Sequence, residues 1–148
     1  MEEGINGLSL LAQIHKEFGG GSVDIRTYSP LTLAYIGDAV FEIVIRTLVV
    51  EKGQRAAEKL HKHTTKIVCA QTQAKMIEAV YERLTEEEQD IYRRGKNAKT
   101  NSSAKNASLS DYHKATGFEA LCGYLFLKND EARLVQIIRQ ALEEVEDE

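Results

Sequence analysis

Apolar positions along this chain recur every three to four residues in long runs and almost never alternate. That period belongs to helices with one buried face. Residues 5–18 place Ile5, Leu8, Leu11, Ile14 and Phe18 on one predicted helical face, and Gly19-Gly20-Gly21-Ser22 ends it in a flexible link. Ser29-Pro30 starts a second helix: the Ser29 hydroxyl caps it, and Pro30 lacks only a donor that the first turn leaves unused. From there to about Glu51 the chain is apolar nearly all round, which predicts a buried central helix. The β-branched runs Ile43-Val44-Ile45 and Val49-Val50 would suit a strand, but the length of the segment and the Glu42–Arg46 (i, i+4) pair favour a helix.

Gly53 stops that helix. A short helix is predicted over 54–62 and a longer one over 65–81, with Ile67, Ala70, Ala74, Ile77 and Tyr81 on one side. Thr85-Glu86-Glu87-Glu88 reads as a capping box opening a helix to Arg94. Residues 95–110, glycine, asparagine, serine and lysine with little that is apolar, read as a loop. Helical periodicity returns over 111–128 and 130–145, before an acidic tail. The predicted class is all-α. The predicted organisation is an N-terminal helix and link over 1–28, then one helical domain over 29–148.

Composition narrows the partners. The 148 residues include 43% apolar and 28% charged, enough for a core with an ordinary polar surface. Nineteen basic residues against 23 acidic give a net charge of −4, so nucleic-acid binding would need a local basic patch. The most apolar stretch, 31–50, contains Asp38, Glu42 and Arg46, which count against a membrane span. Cys69 and Cys122 lie in apolar, helix-like stretches without a metal-ligand spacing. They fit a reducing compartment, although two thiols can also form one bridge. No basic-then-apolar leader is visible, and the expected location is cytoplasmic.

Three features carry candidate chemistry. Asp38, beside Gly37, interrupts the most apolar helix, where a carboxylate is costly unless it caps, pairs with a cation or holds a metal. Gly37 costs helix propensity, and its expected benefit is the close approach of another segment. Glu119 is likewise a lone acid in an apolar helix, with Gly123 one turn on. Two such acids that met in space would suit a hard cation of the magnesium type, although separate ion pairs would serve each equally well. Third, five basic residues and no acid lie between Arg93 and Lys105. Arg93, Arg94, Lys96, Asn97, Lys99, Lys105 and Asn106 would suit phosphate and ribose contacts, or a solvated connector. His61 and His63, two apart on a helix, do not face each other as a metal pair would.

Leu33-Ala34-Tyr35-Ile36-Gly37-Asp38-Ala39-Val40-Phe41-Glu42 resembles the signature helix of the ribonuclease III catalytic domain, and Phe118-Glu119-Ala120-Leu121 with Gly123-Tyr124 resembles its second acidic motif. Leu60-His61-Lys62, the segment 68–74, Arg94-Gly95-Lys96-Asn97-Ala98-Lys99 and Gly123-Tyr124-Leu125-Phe126-Leu127 extend the likeness, in order, to the Mini-ribonuclease III subgroup. The resemblance implies an all-helical homodimer that cleaves double-stranded RNA with Mg2+; Mn2+ is expected to substitute, and calcium, with looser ligands at longer distances, to bind but support little cleavage. It implies Asp38 and Glu119 as the metal-holding catalytic pair. It implies RNA contacts from the 93–106 segment, with His61 and Lys62. Larger relatives carry a further double-stranded-RNA-binding domain; here the residues after the Glu119 helix read as one helix and a tail. Those relatives also carry acids at the positions of Ala34 and Thr116, so this chain resembles the subgroup with two carboxylates per site. The subgroup's role implies the 23S ribosomal RNA precursor as substrate, with a ribosomal protein on that RNA as an accessory partner. A non-catalytic ribosome-associated module of the same fold is the alternative, against which the retained acids argue.

Overall fold

The computed structural model describes residues 7–99 and 108–146, which form seven α-helices and two short 3-10 turns with no strand among them. Helix α1 spans Leu10–Phe18, α2 Pro30–Glu51, α3 Ala57–Val68, α4 Ala70–Val80, α5 Glu86–Lys96, α6 Leu109–Leu127 and α7 Glu131–Glu146. The class is all-α, as the periodicity predicts.

Local chemistry sets most boundaries. Ser29 Oγ accepts from Thr32 N at 3.2 Å, with Pro30 in the first turn of α2. The Thr85–Glu88 capping box forms in both directions, at 2.9 and 3.1 Å, satisfying donors at the start of α5. Glu88 is buried, and Arg133 of α7 reaches its two oxygens at 2.8 Å each. One carboxylate thus caps α5 and pins α7 to it. Asn129 takes the left-handed conformation, at φ 66°, that turns α6 into α7. Its side chain accepts from Ser9, the residue that caps α1.

Helix α6 is the axis of the bundle and packs on α2, α4, α5 and α7. Ten of its residues from Ala115 to Leu125 are buried, all but Glu119. Phe118 meets Phe41 of α2 edge-on, at 5.3 Å between ring centres. Around that contact lie Ile45, Met76, Ile77, Leu121, Leu125, Ile137 and Ile138, all close to fully buried.

The α2–α6 crossing is closer than side chains allow. A Cβ on Gly37 would sit inside contact distance of the Glu119 carbonyl oxygen and 2.7 Å from Gly123 N. A Cβ on Gly123 would collide in turn with the Leu33 carbonyl. The two glycines let the helix backbones touch, which is the close approach expected for Gly37. Gly95 and Gly117 repeat the device between α5 and α6.

Several expectations need correction. The break predicted between 62 and 65 falls at Cys69, whose extended backbone ends α3 and starts α4. Cys69 is therefore exposed at a corner, while Cys122 is buried in α6, and both are free thiols. Gly95 and Lys96 belong to α5, because Gly95 is needed against Gly117, and α6 starts at Leu109. The predicted apolar face of the first helix is mostly uncovered: Leu11 is buried, whereas Leu8, Ile14 and Phe18 are exposed. Residues 1–6, with Ile5, lie outside the described residues. The central helix is buried on one side only, since Leu31, Tyr35, Ile43, Leu48 and Val50 are exposed.

Gly37→Ala tests the crossing. The atoms it meets are backbone and have no rotamer to escape into, so the helices must separate. The expected loss is about 3 kcal/mol or more, read by denaturant unfolding. No loss, or the gain of about 1 kcal/mol that Gly-to-Ala brings at an open helical position, would show that the backbones do not touch.

Candidate active site

The glycine crossing places two acids in register. Asp38 follows Gly37 on α2, and the Glu119 carbonyl is the atom that Gly37 packs against. Their side chains emerge on the same side of the crossing and line one open cleft of about 670 Å³. Leu31, Ala34, Tyr35, Glu42 and Arg46 of α2 line it too, with Tyr112 and Thr116 one face up α6. The spacing 112, 116, 119 keeps those three on one side of a helix.

The two acids differ in setting. Asp38 is exposed at the mouth, whereas Glu119 is half-buried at the crossing. The interhelical contact buries the side chain nearer its axis. Burial pushes the Glu119 carboxyl up to about 8, and the Asp38 charge and a hydrogen bond with Asp38 add to the shift. A hydrogen bond from Gln73 works the other way. Without a cation, the Glu119 carboxyl thus keeps its proton at neutral pH.

The donor set fits a hard divalent cation. Two carboxylates face each other at an open cleft, and the inner one is held protonated by burial first and by the outer one next, a repulsion that a cation between them would relieve. No group of three or more His, Cys, Asp or Glu side chains is assembled for a metal among the described residues, so water and substrate oxygens would complete the shell. Ala34 and Thr116 both line the cleft, so a methyl and a hydroxyl stand where further acids would reach the same space. The Thr116 hydroxyl is already donated to the Tyr112 carbonyl at 3.0 Å. Arg46 lines the far end and is held by Glu42, at 2.6 Å from Nε.

The described basic candidates do not line this cleft. Arg93 and Lys96 flank another, of about 390 Å³, with Glu78, Glu82 and Lys114. Arg93 donates to the Tyr81 hydroxyl at 2.9 Å, and the Lys96 ammonium lies 5.7 Å from the Tyr92 ring centre. Arg94 points the other way, beside Tyr28, Asp90 and Tyr124. Their helical setting separates side chains that a loop would have left together. Asn97 caps α5 and is exposed, as is Lys99. Lys105 and Asn106 lie outside the described residues. His61 and Lys62 are exposed on α3, and His63 Nδ1 is 3.3 Å from Arg55.

Sequence reasoning missed Gln73. It is 1% exposed in α4 and touches Glu119. The available signal was a lone amide on an apolar helical stripe with Met76, Ile77 and Val80.

Residues 31–130 match the family model described as Ribonuclease III domain. The chain is 48% identical over 117 residues to a Mini-ribonuclease 3 of Clostridium tetani, covering 78% of each chain. It is 43% identical to a Mini-ribonuclease 3 of a Thermoanaerobacter species, covering 83% of this chain and 87% of that one. A crystal structure of a Fusobacterium nucleatum protein superimposes with a TM-score of 0.74 at 33% identity, covering 82% of this chain and 98% of that one.

The raised Glu119 carboxyl makes the cation-free protein pH-sensitive. Between its ordinary value of 4.5 and about 8, the folded chain keeps a proton that the unfolded chain has released. Stability therefore falls as pH rises through that window and levels off above it. Glu88 is shifted the opposite way, chiefly by its hydrogen bonds from Arg133, so its contribution is lost only in acid, outside the window. Asp38→Asn leaves burial alone to raise Glu119, and the fall should shrink. Thermal midpoints in chelator between pH about 5 and about 9 read this. Parallel curves for the two proteins would show that Asp38 does not act on Glu119.

Proposed function

Because the chain belongs to the ribonuclease III family and is an endoribonuclease of its Mini-ribonuclease 3 branch, we propose that it cleaves double-stranded RNA with Mg2+ held by Asp38 and Glu119. The observation that carries this reading is the convergence of those two carboxylates at one open cleft. Bound there, the cation would lower the pKa of water and offset the charge of the scissile phosphate. Asp38, exposed at the mouth, meets solvent and substrate first. Glu119, seated on the crossing, holds the inner side of the site. Mn2+ would substitute, being an ion of similar ligand preference. In this reading the physiological substrate is the precursor of 23S ribosomal RNA, trimmed in the cytoplasm with a ribosomal protein on the RNA as accessory. Among the described residues, no helix is long and apolar enough to cross a membrane.

Two further parts belong to the proposal. Tyr35, 83% exposed, and Ile43, 60% exposed, stand beside the cleft on the uncovered face of α2. An apolar face of that kind suits burial against a second copy, and a two-fold pair would present one site to each RNA strand. Duplex contacts come from Arg93, Arg94, Lys96, Asn97, Lys99, Lys105 and Asn106, with His61 and Lys62 on α3. Lys59 and Lys66 share that helix. A-form duplexes are gripped mainly through phosphates and 2′-hydroxyls, which these side chains suit.

Asp38→Asn and Glu119→Gln should each lower duplex cleavage in Mg2+ by at least about 100-fold, the upper end of the cost of losing a supporting contact to a metal ligand. Circular dichroism and duplex binding in chelator should stay as they were. Near-normal turnover of either variant at saturating Mg2+ would refute the pair as metal holders.

Sedimentation at micromolar concentration should give a dimer, and Tyr35→Glu should shift it to monomer. A stable monomer for the unsubstituted chain would remove the paired-strand cut.

Replacing Arg94, Lys96 and Lys99 together with alanine should weaken duplex binding and flatten its salt dependence by roughly 1 unit of slope or less per lost phosphate contact. Single-turnover cleavage at saturating enzyme should change far less than in Asp38→Asn. Unchanged affinity and slope would leave α3 as the grip.

A further inference from the structure

We propose that Gln73 is a positioning residue for Glu119: its buried amide ties the Glu119 carboxylate to the corner between α3 and α4. The proposal rests on the reading of Glu119 as a metal ligand and names what orients that ligand.

Four polar or charged side chains are buried among the described residues, and three have partners that account for them. Thr64 donates to the Leu60 carbonyl, Thr116 to the Tyr112 carbonyl, and Glu88 caps α5 and pairs with Arg133. Gln73 is different. Its Nε2 donates to the Val68 carbonyl at 3.0 Å, five residues back, and the side chain also hydrogen-bonds Glu119 across the α4–α6 interface. Its Oε1 is buried with no hydrogen-bond partner.

A dry amide carbonyl is a net cost, and an apolar side chain of the same length would avoid it. Met76 and Ile77, next on the same helix, show that the interface accepts such residues. The donor end therefore accounts for the glutamine, and it has two anchors. Val68 is the last residue of α3, immediately before the extended corner at Cys69. One N–H grips that backbone and leaves the other for Glu119, whose long side chain would otherwise choose among several rotamers at the cleft. Groups that hydrogen-bond a metal ligand from behind set its direction, and losing one costs about 10- to 100-fold in metal affinity or activity.

Gln73→Met keeps the length and removes the donor. Two readouts apply: Mn2+ binding without RNA, by electron paramagnetic resonance, and the Mg2+ dependence of single-turnover duplex cleavage. Both half-saturation points should rise by about 10-fold, while duplex affinity in chelator and the thermal midpoint stay near those of the original. Unchanged metal binding and Mg2+ dependence would overturn the proposal. Glu119→Gln, titrated alongside, separates the two ideas. Original Mn2+ affinity in that variant would sink the ligand reading and this proposal with it. Lost affinity there, with original behaviour in Gln73→Met, would overturn the Gln73 proposal alone. If Gln73→Met does not fold, the side-chain amide resonances of Gln73 in the unsubstituted protein decide. They should move on addition of Mg2+ and lose that response in Glu119→Gln; resonances indifferent to Mg2+ would overturn the proposal.

Discussion

The contact between Gly37 and Gly123 is the constraint on which the rest of this structure depends. Two helix backbones touch there, with the Glu119 carbonyl against Gly37 and the Leu33 carbonyl against Gly123. Close packing leaves no room for a compromise at such a point, since one methyl group would force the helices apart. The crossing sets the distance between α2 and α6, and the aromatic pair Phe41–Phe118 packs beside it. It also sets which side chains face each other. Asp38 and Glu119 neighbour the touching atoms, so the same contact that closes the core opens the cleft.

The chemistry of the cleft follows from this asymmetric seat. A carboxyl close to the crossing loses solvent, and one at the mouth does not. Glu119 is accordingly pushed up to about 8, by burial first and by Asp38 next. The strain is electrostatic and reversible: positive charge between the acids relieves it, and a proton does so in its absence. The pair thus suits the cation proposed for it, because two carboxyls so placed repel each other without one. Gln73 sits behind this arrangement, with its amide toward Glu119 and its carbonyl left unpaired, a cost in the core that the positioning role proposed for it would offset.

The peripheral elements show how helical geometry redistributes a basic segment. Arg93, Arg94 and Lys96 are neighbours in sequence, but the last turn of α5 points Arg94 away from the other two. Arg93 and Lys96 rest on Tyr81 and Tyr92, which hold their charges near the surface. Helix α3, with Lys59, His61, Lys62 and Lys66, offers a second basic strip in a chain whose net charge is negative. The uncovered stripe of α2 and the exposed Leu8, Ile14 and Phe18 near α1 are apolar surface that one chain of this size leaves open.

The amino-acid sequence by itself determined the helical class, the caps at Ser29 and Thr85, and the identity of the two acids. All of these are local: a period, a hydroxyl before a helix, a carboxylate in an apolar run. It also marked Gly37 as a place of close approach, because glycine in a helix needs a reason. Tertiary structure alone decided the rest. That Gly95 continues a helix follows from Gly117 lying across it, and no local propensity carries that information. The break at Cys69, the exposure of Asp38 against the burial of Glu119, and the opposite directions of Arg93 and Arg94 all depend on which helix lies alongside. Gln73 is the sharpest case. Along the chain it is one polar residue in a helix; only the packing of α4 on α6 brings its amide to Glu119, 46 positions away. Contacts between distant segments are set by shape and burial, and those exist only once the chain has folded.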